Sequence, residues 1–403
     1  MIRVAWILVD DPLWIGGLNY FRNLMEALIS LPEPLIEPVV IGSPAGLPSP
    51  LNMCTSIPRP SRPRFWPSRI RDHIDRKMLH RGGYFARSLV ENEVRLLSHA
   101  QWLGPNSPVP ALCWIPDFQH RRLPQFFSAQ EIHSRNSIHS AMAGNAQGIL
   151  LSSKDARRDF CLFHPEAAEK AYVLNFVAHV PDASALPPSD TVLEKYGIGE
   201  PFFHLPNQLW AHKNHRVVAE ALGILASRSR RPLVISTGLT EDYRNPGYFK
   251  SICKRLEDTY LADRLRFLGV VPYADMAVLM RSSLAVINPS LFEGWSTPVE
   301  EAKSFGKRIL LSDIAVHKEQ APERSAYFDP HDPSALAEQM LDVLETSNPD
   351  HERAELERAA AVLPQRLRQF AGAYQEIVLD VIARHKKRVR NFSFLYPLSS
   401  LTP

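Results

Sequence analysis

The feature that most constrains this chain is an alternation that runs through it twice. In the first half, β-rich runs at Arg3–Val9, Pro38–Ile41, Val94–Ser98, Ala111–Ile115, Gly148–Ser152 and Ala171–Phe176 alternate with helical segments near Leu18–Ser30, Ser128–Asn145 and Lys154–Phe163. A break rich in Pro, Ala, Ser and Asp follows at Asp182–Asp190, and the alternation restarts. Strands then read at Pro201–Leu205, Leu233–Thr237, Arg266–Val271, Leu284–Asn288, Arg308–Ser312 and Ala326–Phe328. Helices fit Asn214–Ser227, Tyr248–Thr259, Ala274–Ser282, Pro298–Phe305 and Pro333–Glu345. Such alternation calls for parallel sheets covered by helices on both faces. The prediction is an α/β chain of two Rossmann-like β/α/β domains, residues 1–185 and 190–365, facing each other across a cleft. Residues 366–403 form a helical, basic tail able to pack back on the first domain. The basic, proline-studded stretch Arg59–Arg87 reads as an inserted helix-loop element of undefined secondary structure.

Composition narrows the function classes. The chain has 403 residues, 22% of them charged and 45% hydrophobic, enough to fill two cores and too apolar for a disordered protein. A net charge of +3 gives no argument for nucleic acid. Four scattered cysteines, with no C-x-x-C pair, exclude a disulfide scaffold or a cysteine zinc site. The first apolar run, Val4–Val9, ends at Asp10-Asp11 and is too short for a signal peptide, so the expectation is a soluble, cytoplasmic protein.

Four segments carry candidate chemistry, and each follows a strand. In the first, a strand ends at Asn288, and Gly294, Trp295, Ser296 and Thr297 lead into a helix. Thr297 reads as the N-cap, Pro298 as the first helical residue and Glu300 as the partner in a capping box. The loop amides and the positive helix end then suit an anion such as phosphate. At about 100° per residue, Glu301 lies on the edge of the face formed by Pro298, Ala302 and Phe305, and Glu300 points to solvent. Glu301 can thus accept two hydrogen bonds from vicinal hydroxyls, and Glu293 stands over the cleft. Two readings of this pair stay open, ligand-binding carboxylates or ordinary loop and first-turn acids.

In the second segment, Asn207, Gln208 and Lys213 follow a strand and open a helix, Lys213 as a point charge for phosphate. The cluster His212-Lys213-Asn214-His215 lacks the second ligand pair a zinc site needs, and no D-x-D triplet occurs, so no metal is expected. In the third, Gly16 and Gly17 follow the first strand without making G-x-G-x-x-G, and either a ligand approach or turn geometry accounts for them. In the fourth, Asp117 and His120 sit at a strand tip, where a sugar hydroxyl contact and a turn cap remain equal readings.

Together the segments FEGWSTPVEEAKSFG, PNQLWAHKNHRVVAEAL, LGVVPYADMAVLM and WIPDFQH and the early Gly-Gly loop occur in the order seen in family-4 retaining glycosyltransferases. The chain resembles that family most strongly over about residues 200–345. The resemblance implies the GT-B fold, with an acceptor-binding first domain and a nucleotide-sugar-binding second domain. It implies metal-independent transfer of a sugar from a UDP- or GDP-sugar donor to an acceptor hydroxyl with retained configuration, and no cofactor. Glu293 and Glu301 match the two acids of the E-x7-E motif, near the donor sugar and on the ribose respectively, and Lys213 matches the phosphate lysine. Gly16 and Gly17 match the diphosphate loop, and Gly269, Val270 and Val271 the turn lining the base.

Two departures stand out. Asn207-Gln208 replaces the usual Gly-Arg, with His212 or His215 as candidate substitutes for the missing cation, and Pro116-Asp117 replaces His-Asp. The implied partners are the donor and a glycan, lipid-linked or small-molecule acceptor, with no nucleic acid. The basic run Arg384–Arg390 is a candidate peripheral contact to the inner face of a membrane, the alternative being a solvated tail. The rival functions are a nucleotide-sugar epimerase or hydrolase on the same fold and a non-catalytic sugar-nucleotide-binding subunit.

Overall fold

The computed structural model describes residues 1–7, 15–43, 49–61, 66–100 and 102–395. The first half of the chain supplies β1 (Ile2–Trp6), α1 (Ile15–Ile29), β2 (Ile36–Ile41), β3 (Thr55–Ile57), α2 (Trp66–His73), α3 (Gly83–Glu91), β4 (Leu96–Ser98) and β5 (Ala111–Ile115). It continues with α4 (Gln119–Arg122), α5 (Ala129–Asn145), β6 (Gly148–Leu151), α6 (Lys154–Phe163) and β7 (Ala171–Val173). The second half adds α7 (Ser189–Lys195), β8 (Phe202–Leu205), α8 (His215–Ser227), β9 (Leu233–Ser236), α9 (Tyr248–Asp258), β10 (Leu265–Phe267) and α10 (Tyr273–Ser282). Then come β11 (Val286–Asn288), α11 (Thr297–Phe305), β12 (Ile309–Ser312), α12 (Ala315–Gln320), β13 (Ser325–Phe328), α13 (Pro333–Thr346) and α14 (Pro349–Leu395).

Two compact units result. The first holds residues 1–118 and 133–176 and the chain from Leu367 onward, and the second holds residues 119–132 and 177–366. Each has one parallel sheet, of seven strands in the order β3-β2-β1-β4-β5-β6-β7 and of six in the order β10-β9-β8-β11-β12-β13. In both, the order reverses beside the first strand of the unit, at β1/β4 and at β8/β11, which opens a crevice at the C-terminal strand ends. Strands such as β8, β9 and β12 are buried at every residue, because helices cover both faces. Val218, Leu222 and Leu225 of α8 and Leu336 and Met340 of α13 pack with Phe203, Val234 and Leu310 to form the main core of the second unit. In the first unit Tyr374 of α14 is buried and donates to Ser98 Oγ at 2.7 Å, and Gln375 Oε1 accepts from the Leu35 amide at 2.7 Å.

Most expected strands and helices appear within a few residues of their expected ends, and the differences have local causes. The run expected through Val271 stops at Phe267, because Gly269 takes a left-handed φ of +70° that extended backbone does not allow. The run expected through Phe176 stops at Val173. The expected end of the first strand, Leu8-Val9, lies outside the described residues, as do residues 10–14 ahead of α1. The undefined Arg59–Arg87 stretch contains α2, a π-helical turn at Ile74–Met78 and the start of α3.

Gly306 ends α11 in the left-handed region, at φ +73°, and a Cβ there would lie 2.5 Å from Glu355 O and 2.8 Å from Ala359 Cβ on α14. Gly306→Ala therefore combines a left-handed penalty with a backbone clash, and we expect it to cost about 2–4 kcal/mol. Urea unfolding checks this, and a loss below about 0.5 kcal/mol would show that α14 yields freely at this contact.

Candidate active site

The second unit gathers its polar residues where β8 and β11 end. Lys213 closes a short turn after β8, and Asn214 behind it adopts a left-handed φ of +57°. The Asn214 side chain holds that conformation by donating to Pro289 O at 3.2 Å and Pro330 O at 2.8 Å. The Leu291 amide donates to His212 O at 2.8 Å, so the loops after β8 and β11 are tied backbone to backbone. This fixes Lys213 against Glu293, with Nζ 2.6 Å from Oε1 and side chains only 15% and 8% exposed.

Beneath the pair lies a network of short polar contacts. Ser290 Oγ stands 2.7 Å from both Glu293 Oε1 and Asn288 Oδ1, and its single proton serves one of them at a time. Asn288 Nδ2 donates to Ser296 Oγ at 2.7 Å, and Asn207 Nδ2 reaches Asn288 Oδ1 at 3.4 Å. Asn207 Oδ1 is buried without a hydrogen-bond partner. Next to Asn207, the Leu209 amide donates to Leu239 O at 2.8 Å, and the Gly238 amide donates to Gly269 O at 2.8 Å. The turn Gly269–Val271, with Val270 59% exposed, is thereby joined to the Asn207-Gln208 loop through the loop after β9.

The helix that follows Glu293 departs from expectation. Ser296, not Thr297, is the N-cap of α11, its side chain makes no cap bond, and Pro298 is the second helical residue. Glu300 is not a solvent-side cap and completes no capping box. It is 1% exposed, accepts from Arg366 Nη2 at 2.7 Å and from Gln320 Nε2 at 3.2 Å, and lies 4.0 Å from Lys303 Nζ. Burial raises its pKa, opposed by Lys303, Arg366 and Gln320. Helical spacing gives the angle between Glu300 and Glu301 but not which angles α12 and Arg366 cover. Glu301 is also buried, at 5% exposure. The Ser296 amide, within the expected anion site, already donates to Gln320 Oε1 at 3.3 Å. Gly294, Trp295 and Thr297 are half-buried beside it.

The histidines do not replace a cation. Burial lowers His215 to about 3 and His212 well below its ordinary value, with Lys213 and Arg244 adding to the fall at His212. Burial is the main reason both stay neutral, and the charge of Lys213 pushes in the same direction. His317, held by Ser312 O 2.9 Å from Nδ1, is pushed to about 4 by burial against the pull of Glu293. His120 is buried in α4 within the second unit, with Phe127 edge-on at 6.4 Å, and Asp117 is half-buried in the first unit. Gly16 and Gly17 begin α1 in the first unit. Among the described residues no three His, Cys, Asp or Glu side chains converge as metal ligands.

A residue absent from the sequence candidates is Arg244, in the loop after β9. Its side chain is 5% exposed, and its guanidinium lies 4.6 Å from the Trp210 ring centroid and 4.8 Å from that of Phe127. Nη1 contacts Gln119 Oε1 at 3.4 Å and Nε is 3.7 Å from Asp242 Oδ1, yet Nε and Nη2 have no hydrogen-bond partner. Asp242 also accepts from the Ala211 amide at 3.0 Å, which ties this loop to the turn that carries Lys213. The available signal was position alone, a charged residue just past a strand's C-terminal end.

Comparison with known proteins bears on the fold and on the second unit's sequence. Residues 191–361 match the family model described as glycosyl transferases group 1. The structure of a glycosyltransferase from Rickettsia africae superposes with a TM-score of 0.66 at 15% identity, covering 94% of this chain and 98% of that one. HepE of Anabaena, solved in complex with UDP and glucose, gives a TM-score of 0.62 at 15% identity over 97% of this chain and 100% of its own. The fold is GT-B. An O-antigen chain mannosyltransferase B of Escherichia coli is 24% identical over 257 residues, 60% of this chain and 64% of the relative. The chain thus spans less than two thirds of the length of the curated relatives it matches.

Three of the buried histidines of this GT-B protein's second unit bear on its acid stability. His204 and His215 are lowered by burial to about 3 and His317 to about 4. Their folded pKa values lie below the unfolded value of about 6.5, so the unfolded chain binds protons that the folded chain refuses. The stabilisation is fully present above about pH 6.5 and is lost as pH falls below it. We expect the unfolding free energy to drop by roughly 2–4 kcal/mol between pH 7 and pH 5.5. Urea titrations at the two pH values measure it, and an unchanged midpoint would mean that these rings take up protons in the folded state.

Proposed function

We propose that this chain is a retaining glycosyltransferase that moves a sugar from a nucleotide-sugar donor, a UDP- or GDP-sugar, to an acceptor hydroxyl in glycan biosynthesis. The observation that carries this reading is the buried Lys213–Glu293 pair at the point where the second sheet reverses its strand order. The match to glycosyl transferases group 1 and the likeness to an O-antigen chain mannosyltransferase support sugar transfer, with mannose as the sugar and a surface polysaccharide as the product.

In this reading the bond from the anomeric carbon to the diphosphate breaks and a bond to the acceptor oxygen forms on the same face. The acceptor proton passes to a diphosphate oxygen, and the nucleoside diphosphate leaves. Lys213 meets the charge that grows on the leaving group, and Glu293, held by Lys213 and Ser290, orients the sugar. Glu301 takes the ribose hydroxyls. Arg244, with two unpartnered nitrogens and aromatic rings that strip water from it, supplies the second diphosphate cation where Gln208 stands in place of arginine. With two cations on the diphosphate, no metal ion is required.

Steady-state kinetics separate these roles. Lys213→Ala lowers kcat by roughly 100-fold or more, because its interaction grows in the transition state. Glu301→Ala and Arg244→Gln raise the donor KM by about tenfold or more, because they remove bonds made in both states. The assays are run with EDTA and with product analysis in the absence of acceptor. Near-wild-type kinetics for Lys213→Ala and Glu301→Ala would overturn the site assignment. Activity abolished by EDTA would overturn metal independence, and sugar release at the full rate without acceptor would indicate a hydrolase.

A further inference from the structure

The helix α2 and the π-helical turn that extends it, Ile74–Met78, are amphipathic the wrong way round for an element packed on a protein core. A surface helix normally buries its apolar stripe and exposes its charges. Here the acids face inward. Asp72 is 9% exposed and accepts from the Tyr84 amide at 2.7 Å, and Asp75 pairs with Arg87 of α3. The apolar residues face out: Trp66 is 75% exposed, Ile70 41%, Ile74 39%, Met78 71% and Leu79 39%.

The spacing makes a row of them. At about 100° per residue, Trp66, Ile70 and Ile74 fall within roughly 80° of one another. The wider π turn then keeps Met78 in line with Ile74, where an α turn would carry it further round. Cations flank the row. Arg69, Arg71, Lys77 and Arg81 are exposed and have no ion-pair partner among the described residues. With both acids turned inward, the exposed residues from Trp66 to Arg81 include cations and large apolar side chains but no acid.

We propose that this face docks on an anionic lipid bilayer, the apolar row entering the headgroup boundary and the cations meeting lipid phosphates. The charge pattern selects that occupant. A second copy of the chain meeting the same patch across a two-fold axis would set these cations against one another. Anionic lipid satisfies them, and a tryptophan at one end of a short, cation-flanked apolar row suits the polar–apolar boundary. No helix among the described residues is long and apolar enough to cross a membrane, so the contact is peripheral. The basic tail is less suited, since Arg384 is engaged with Asp380 at 2.7 Å and with Glu169 O at 3.2 Å. This inference does not depend on the reading of the donor site.

Vesicle co-flotation of the full chain tests it, using phosphatidylcholine vesicles with and without phosphatidylglycerol. The wild-type protein is expected to float only with the anionic vesicles and to be released by high salt. Ile70→Glu/Met78→Glu and, separately, Arg69→Glu/Lys77→Glu are each expected to lower vesicle affinity on the order of tenfold or more, with melting temperatures unchanged. Because both pairs are exposed, the variants keep the fold. No flotation of the wild type, or flotation of both variants as strong as the wild type's, overturns the proposal. A wild-type dimer in solution that Ile70→Glu/Met78→Glu breaks, without lipid binding, assigns the face to a second copy instead and equally overturns it.

Discussion

The structure depends on a constraint of parallel sheets, that strands buried on both faces leave no lateral place for charge. The strands β8, β9 and β12 are buried along their whole length and carry no Asp, Glu, Lys or Arg, so the central Lys213 and Glu293 are carried by loops at the strands' C-terminal ends. Two such loops, after β8 and β11, sit side by side only because the strand order reverses between them. Lys213 and Glu293 come from elements 80 residues apart and still meet at 2.6 Å. A lysine and a glutamate this deep need each other, since either alone would be a buried charge without compensation. Exposure of 15% and 8% leaves a narrow approach, and in the proposed reaction the diphosphate draws Lys213 from Glu293 there.

That exchange explains why the surroundings are polar yet neutral. His212, His215 and His317 all lie near Lys213, and burial holds each uncharged. Neutral imidazoles and the amides of Asn207 and Asn288 supply dipoles that need no counter-ion around Lys213 and Glu293. Ser290 gives the network freedom, because its one proton can turn to Glu293 or to Asn288. When Lys213 turns toward a phosphate, Ser290 can keep Glu293 hydrogen-bonded.

Much of this was legible in the sequence, for a definite reason. Strand, loop and helix start are local events, so the segments around Lys213 and Glu293 announce their places through apolar runs, Asn214 and the Thr297-Pro298 start. What lay beyond reach was tertiary. The roles of Glu300 and Glu301 were separated by helix angle, but the angle does not say that Arg366, 66 residues on, closes over Glu300. Arg244 lies in a loop with no periodicity, and its burial against Trp210 and Phe127 brings together three separate stretches of chain.

The same limit accounts for α2, which lies in the stretch Arg59–Arg87 that reads in sequence as a basic helix-loop element of undefined secondary structure. Which side faces in is decided by the acids. Asp72 and Asp75 find an amide and an arginine on α3, which holds this side of the helix against the first unit. Anchoring through the acids turns the apolar side outward at a cost in solvated hydrophobic area that the isolated protein carries unrelieved. An exposed apolar row flanked by cations is suited to a surface that is negatively charged and apolar at once.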